Sequence, residues 1–267
     1  MNGGALRAAG FGALHGFTTR AGGVSEGAFA GMNLGLSSGD TPAKVERNRD
    51  LLLGGLGFTR EAVVAFHQVH GDRVLGGDPG WFEEEADAAV TNRNDVLLVV
   101  STADCVPLLF HDPVKGVVGA AHCGWKGTAA LLAAKVVAAM VTRHGSRPGD
   151  VKVALGPCMR GSCYQVGSEV IERFVAAGIP SACWRADPGE ADRYLLDLPA
   201  ANTHALAAAG VPAENVSDLD LCTHCRPELF YSHRRDRGVT GRHWAYVSLR
   251  EPGGSMARMT RGAGETR

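Results

Sequence analysis

Asp95-Val-Leu-Leu-Val-Val100-Ser-Thr-Ala-Asp-Cys105-Val-Pro-Leu-Leu-Phe110-His-Asp-Pro-Val-Lys115-Gly-Val-Val-Gly-Ala120-Ala121 is the stretch on which the architecture turns. Val96 to Val100 is an unbroken apolar run, which reads as a strand buried on both faces. Val106 to Phe110 and Gly116 to Ala121 read as two further strands. The short polar link His111-Asp-Pro-Val-Lys115 joins them as an antiparallel hairpin.

Downstream, Gly124-Trp-Lys-Gly127 leads into the Ala- and Leu-rich segment Thr128 to His144, read as one helix with Thr128 as its N-cap. Val151 to Leu155 is a short strand. Ser168 to Ala177 and Leu198 to Ala209 are helices, and His243 to Leu249 is a closing strand. Hairpins and crossovers in one chain predict an α/β (α+β) layered sandwich built on a mixed β-sheet with flanking helices.

The chain of 267 residues is long enough to bury a core without disulfide staples. Gly145-Ser-Arg-Pro-Gly-Asp150 is the strongest internal punctuation and too short to divide domains, so a single domain over 1–267 is expected. Its ordered part runs over about 12–249, and the polar, Gly-rich tail from Glu251 to Arg267 is expected to fray.

Composition narrows the function. Apolar residues make up 45% and charged residues 21%, a globular balance. A net charge of -1 argues against nucleic acid as a partner, although Arg234, Arg235, Arg237 and Arg242 cluster. No apolar run reaches the ~20 residues of a membrane span, and the N-terminus has no signal-peptide core. Seven cysteines suit reduced thiols rather than a disulfide framework, so the expected location is the cytoplasm.

Metal-competent residues concentrate in His67-Gln-Val-His70-Gly71, in Ser101-Thr-Ala-Asp-Cys105 and in Ala121-His-Cys-Gly-Trp125, each at an expected element end. Imidazole and thiolate are preferred zinc ligands. His67 and His70 would share a face of a helix, but on a strand they point opposite ways, which leaves at most one as a ligand. The same residues also allow a nucleophile pair, Cys105 or Cys123 with His122 or His70. A thiolate on zinc is no free nucleophile, so the two readings exclude each other at Cys105. Cys222-Thr-His-Cys225 is a lone C-x-x-C, which by spacing alone is two packed thiols near a turn before it is a zinc site. Cys158 and Cys163 carry no metal spacing, and the Arg cluster is either a phosphate site or a solvated loop.

His15-Gly-Phe-Thr-Thr-Arg20-Ala-Gly-Gly-Val-Ser25, Met32-Asn-Leu-Gly35, Gly39-Asp40, Asn48-Arg49, Gln68-Val-His70-Gly71, Thr102-Ala-Asp-Cys105, Ala121-His-Cys-Gly-Trp125, Gly156-Pro157, Cys163-Tyr164, Phe230-Tyr-Ser-His-Arg-Arg235 and Thr240-Gly-Arg242 occur in order. This series resembles the laccase-domain (YfiH-like, multicopper polyphenol oxidase-like) family over residues 12–249. The resemblance implies a purine nucleoside phosphorylase that acts on adenosine, inosine and methylthioadenosine with phosphate, together with adenosine deaminase activity. It implies a metal site of His70, Cys105 and His122, taken as Zn2+, and a fold related to the CNF/YfiH-like cysteine hydrolases. His67 is not carried over, because the motif starts at Gln68. Lys126 stands where Arg is commoner, and Gln165 where Glu is common.

On that footing Asp104 is the candidate proton shuttle for deamination, provided the chain turns between it and Cys105. Arg20 and Arg234 are the candidate phosphate clamp. The alternatives are an amidase or peptidoglycan-editing hydrolase, a copper-dependent polyphenol oxidase, and a non-catalytic zinc protein. The laccase label fits poorly, since no two of the ten histidines are spaced i, i+2 as trinuclear copper clusters require. Copper can still enter a His/Cys/His site by substitution.

Overall fold

The computed structural model describes residues 5–77 and 80–250, so the tail from Glu251 to Arg267 lies outside the described residues. Two six-stranded sheets dominate. The first runs in the order β1 (Ala5–Leu6), β2 (Leu14–Thr18), β15 (His243–Ser248), β7 (Leu97–Thr102), β3 (Val63–His67) and β5 (Gly80–Glu85). The second runs β14 (Val216–Asp218), β10 (Lys152–Leu155), β8 (Val106–Asp112), β9 (Val117–Cys123), β6 (Ala88–Thr91) and β4 (Val74–Gly76). A small third sheet joins β11 (Gln165–Gly167), β13 (Arg193–Leu196) and β12 (Trp184–Ala186). Both large sheets are mixed: β3 pairs parallel with β7 and β5, whereas β15 pairs antiparallel with β2 and β7.

Residue type explains the layering. Along β7, Leu98 and Val100 face one way and Leu97 and Val99 the other, as the two-residue strand period requires. Leu98 and Val100 meet Leu109, Val118, Ala120, Ala154 and Ala245 in a core between the two sheets. Leu97 and Val99 pack with Trp244, Tyr246 and the Leu52 and Leu53 side chains of α1 (Pro42–Leu56). On the outer face of the second sheet, Val106, Leu108 and Phe110 meet α3 (Leu132–His144), α4 (Ser168–Ala176) and α5 (Leu198–Ala208). Each fully buried Val, Leu or Phe contributes about 1.5–3 kcal/mol, so this α/β/β/α stack rests on burial at three interfaces.

The β8–β9 hairpin has the expected pairing, from Val106 opposite Cys123 to Asp112 opposite Val117. The long helix expected over 128–144 is instead two: α2 (Trp125–Ala129) and α3, separated at Leu131 with φ 58°. Thr128 is therefore not an N-cap. It sits inside α2, where its hydroxyl accepts a 3.0 Å hydrogen bond from Asn202 of α5. The break frees α2 to turn Trp125 toward the end of the sandwich while α3 lies along the sheet.

Gly156 marks a close approach between layers, since a Cβ there would collide with the Phe17 ring and come within 2.8 Å of Pro107 Cγ. Gly156→Ala should cost about 1–3 kcal/mol of stability by overpacking. Gly54 in α1 has open space around its Cβ direction, so Gly54→Ala should stabilise by about 0.5–1 kcal/mol. Urea midpoints of the two variants measure both, and an unchanged midpoint for Gly156→Ala would contradict this packing of Phe17.

Candidate active site

Where β7 and β9 run out, the intersheet core opens into a cleft of about 820 Å³. His122 continues the row of Val118 and Ala120 on β9, so the strand period that buries those two carries its imidazole into the cleft. Cys123, one residue on, faces the helix layer and packs with Val106 and Leu132. Burial pushes its thiol well above the ordinary range, so of the two expected candidate nucleophiles Cys123 is an inert core residue.

Cys105 arrives from the turn between β7 and β8. That turn rests on Asp104, which adopts φ 97°, an unfavourable conformation for a residue with a side chain. Its Oδ1 accepts from the Thr223 hydroxyl at 2.6 Å and its Oδ2 from the Arg234 amide at 2.7 Å, while its carbonyl accepts from the Met159 amide at 2.8 Å. The turn on which a role for Asp104 depended is present. Each carboxylate oxygen accepts one hydrogen bond, which fixes the shape of the Cys105 turn, and Asp104 itself lines the cleft.

His70 follows the end of β3 and takes φ 60°. Two contacts fix its segment. The Gln68 carboxamide donates to the Ser101 carbonyl at 2.8 Å and accepts from the Ser101 amide at 2.7 Å, which ties the segment to β7. The fully buried Asp87 carboxylate gathers the amides of Val69, His70 and Gly71 at 3.2, 3.1 and 2.6 Å. The same carboxylate accepts from His122 Nδ1 at 2.8 Å.

The ligand atoms of His70, Cys105 and His122 lie within 4.8 Å of one another, graded from exposed through half-buried to buried. The two imidazoles meet edge to face with centroids 4.8 Å apart. His67 is exposed and lies outside the group, although it lines the cleft. Partial burial opposes ionisation of Cys105, but the His122 charge and hydrogen bonds from both imidazoles outweigh it and bring the thiol down to about 6. Burial likewise opposes protonation of His122, yet Cys105 and Asp87 raise it to about 9. Burial would raise Asp87, and its hydrogen bond from His122, with the amides, holds it below the usual carboxylate value. Two imidazoles and a thiolate, one imidazole oriented by a carboxylate, form a donor set that fits a zinc ion.

The arginines divide. Arg49, Arg234 and Arg242 line the cleft; Arg49 donates to the Leu34 carbonyl, Arg242 through one nitrogen to the Thr240 and Gly241 carbonyls, and Arg234 through one nitrogen to the Gln165 carbonyl, while Arg234 also lies over the Tyr164 ring at 5.2 Å. Arg235 is spent on the Thr223 and Phe230 carbonyls and on Asp236. Arg20 is not brought to the cleft: its guanidinium binds the carbonyls of Ala30 and Pro227 and stacks over Tyr231. The strictly local motif that singled it out could not show that main-chain carbonyls consume its donors. Asn33 and Asn48, from the same N-terminal motifs, are braces. Asn48 binds Ser25, Gly31 and Asn33, and the Asn33 carbonyl oxygen of its side chain accepts from the Arg242 amide at 2.9 Å. Asp87 and Gln68 are the residues that the reading for chemistry passed over. A signal for Asp87 was its charge within the apolar Ala86-Asp-Ala-Ala-Val90, where an unpaired carboxylate would be costly.

Asp87→Asn removes the carboxylate from four donors at once. Zinc affinity should fall about 10- to 100-fold, read by competition with a chromophoric chelator. An unchanged affinity would mean that Asp87 does not orient His122 toward a metal.

A family model described as multi-copper polyphenol oxidoreductase laccase matches residues 14–250. A protein named purine nucleoside phosphorylase from Deinococcus radiodurans is 44% identical over 246 residues, 91% of this chain and 92% of its own length. Purine nucleoside phosphorylase YlmD from Geobacillus stearothermophilus is 41% identical, covering 90% of this chain and 91% of its own length. The crystal structure of Bacillus licheniformis YfiH superimposes with a TM-score of 0.85 at 35% identity, over 88% of this chain and 92% of that one. With that extent of match in sequence and in fold, the chain belongs to the laccase-like YfiH/YlmD family.

Proposed function

We propose that this protein is a purine nucleoside phosphorylase with adenosine deaminase activity, centred on His70, Cys105 and His122 and dependent on zinc. The carrying observation is that one cleft joins this N/S donor group to three arginine side chains, Arg49, Arg234 and Arg242, of which Arg49 is held by the Leu34 carbonyl. Its volume lies in the ordinary range for small-molecule sites. The relatives' names, purine nucleoside phosphorylase, point to the same chemistry.

In phosphorolysis a phosphate oxygen attacks C1′ of the ribose as the C1′–N9 bond breaks. The base departs with the bonding pair and takes up a proton, leaving ribose 1-phosphate. Arg234 and Arg242 bind the phosphate, and their fixed forks suit two of its oxygens. Tyr164 and Trp125, both on the cleft wall, offer faces to the purine. Deamination exchanges the C6 amino group for oxygen from water and releases ammonia. Adenosine, inosine and methylthioadenosine all present the purine and C1′ that this arrangement addresses. A zinc ion held by His70, Cys105 and His122 supplies Lewis acidity at neutral pH. The same donors accept copper, which accounts for a polyphenol oxidase activity after metal substitution.

A second reading has one observation in its favour. Cys105 and His122 form a thiolate–imidazolium pair of the kind that cysteine hydrolases use on amides, including those of peptidoglycan. The relation to cysteine-hydrolase folds belongs to this reading.

Incubation of zinc-loaded protein with adenosine should release adenine only when phosphate is present, whereas inosine should form in either case. Equal adenine release without phosphate would make the enzyme a nucleoside hydrolase instead. Alkylation separates the two readings of Cys105. With zinc bound, labelling of the Cys105 peptide should be slow, and a chelator should accelerate it. Rapid labelling of zinc-loaded protein, together with full activity after metal removal, would reject the zinc reading and favour the thiol hydrolase.

A further inference from the structure

Among the described residues a second group of soft donors stands apart from the cleft's metal ligands. Cys163, His224 and Cys225 bring two sulfurs and an imidazole within 4.8 Å of one another. The Cys163 and Cys225 sulfurs are 3.1 Å apart, and Cys222 opens the C-x-x-C turn that Cys225 closes. No part of the catalytic reading uses any of these four side chains.

The main chain builds the group. Cys158 and Cys222 form a parallel bridge, in which the Cys158 amide donates to Leu221 at 3.2 Å and the Thr223 amide donates to Cys158 at 3.0 Å. A turn then closes from Arg160, whose carbonyl accepts from Cys163 at 2.8 Å and from Tyr164 at 3.0 Å. Those bonds hold Cys163 against the Cys222-Thr-His-Cys225 turn from a distant part of the chain. Burial opposes ionisation of the Cys222 thiol, but the amides of Arg160, Cys225 and His224 lie around it and bring it below its ordinary range. Amides that converge on the first sulfur of a C-x-x-C turn stabilise a thiolate there.

We propose that Cys163, His224 and Cys225 form a second, solvent-facing site for one thiophilic divalent ion, Zn2+, with Cys222 of the same turn as the fourth ligand that the ion would draw in. Three thiols and an imidazole match the ligand set of a closed structural zinc centre. A Cys163–Cys225 disulfide would leave the His224 imidazole, within 4.8 Å of both sulfurs, without a role. On binding, the cysteines give their protons to solvent and the sulfurs become ligands, with no oxidant required. The ion would clamp the 158–165 and 221–226 segments, which carry Tyr164 on the cleft wall and Thr223 on Asp104.

The test is zinc content per chain after purification under reductant and exhaustive dialysis. Wild-type protein should hold two zinc ions. The double variant Cys163→Ser/Cys225→Ser and the single variant Cys105→Ala should each hold one. Cobalt loaded into Cys105→Ala should show thiolate-to-metal absorption in the near ultraviolet, and this should vanish when Cys163 and Cys225 are also serine. Because the readouts are stoichiometry and spectrum, nucleoside turnover has no bearing on the result, and failure of the catalytic reading remains distinguishable. One zinc ion in the wild type, with the content unchanged in Cys163→Ser/Cys225→Ser, would overturn the proposal. So would a Cys163–Cys225 disulfide found by peptide mass in protein purified anaerobically. Should Cys105→Ala fail to fold, the comparison of wild type with the double variant decides alone.

Discussion

One buried carboxylate holds the candidate site together. Asp87 is surrounded by three consecutive amides from one segment and by His122 from another, so its charge is distributed over four hydrogen bonds. A buried charge without partners costs several kcal/mol, and here every partner belongs to the site. The three amides bend the chain at His70 into its left-handed conformation, and the fourth donor settles which nitrogen of His122 faces the cleft. A candidate ligand that follows a strand of the first sheet and one on a strand of the second are thereby referred to the same two oxygen atoms.

The third ligand is positioned by an independent set of contacts. Cys105 follows a residue whose φ of 97° persists only because Thr223, Arg234 and Met159 hold it from three directions. Strain of this kind stands at functional sites when the surroundings over-determine it. The Arg234 amide that holds Asp104 comes from the residue whose side chain lines the cleft, so the position of that guanidinium and the Cys105 turn are mechanically joined.

Sequence reasoning reached the fold where hydrophobic patterning is unambiguous. The runs at 96–100 and 106–110 fall in strands, as their short length, Val content and polar flanks favour. It failed at Leu131, since a leucine carries no breaker signal and only tertiary contacts around Thr128 and Asn202 interrupt the helix. At the site, His70, Cys105 and His122 were legible as ligand chemistry and as family motifs, and the structure brings their donor atoms together. Arg20 misled, because a charged side chain in a motif looks the same whether it meets a ligand or main-chain carbonyls. Asp87 and Gln68 bind backbone groups that have no signature in the residue string.

The sorting of His122 and Cys123 onto opposite faces of β9 has a consequence for how this family can vary. The only thing that distinguishes these neighbours is the phase of the pleat, and that phase is set at the far end of the hairpin, at 113–116. Loss of a single residue there that shifted the pairing by one step would present a thiol to the cleft and bury an imidazole, with both strands still formed. Length changes in this turn are therefore free of chemical effect only when they loop outward and leave the pairing in step. A surface loop more than a strand's length from the cleft thus carries a parity constraint on which side chain the cleft receives.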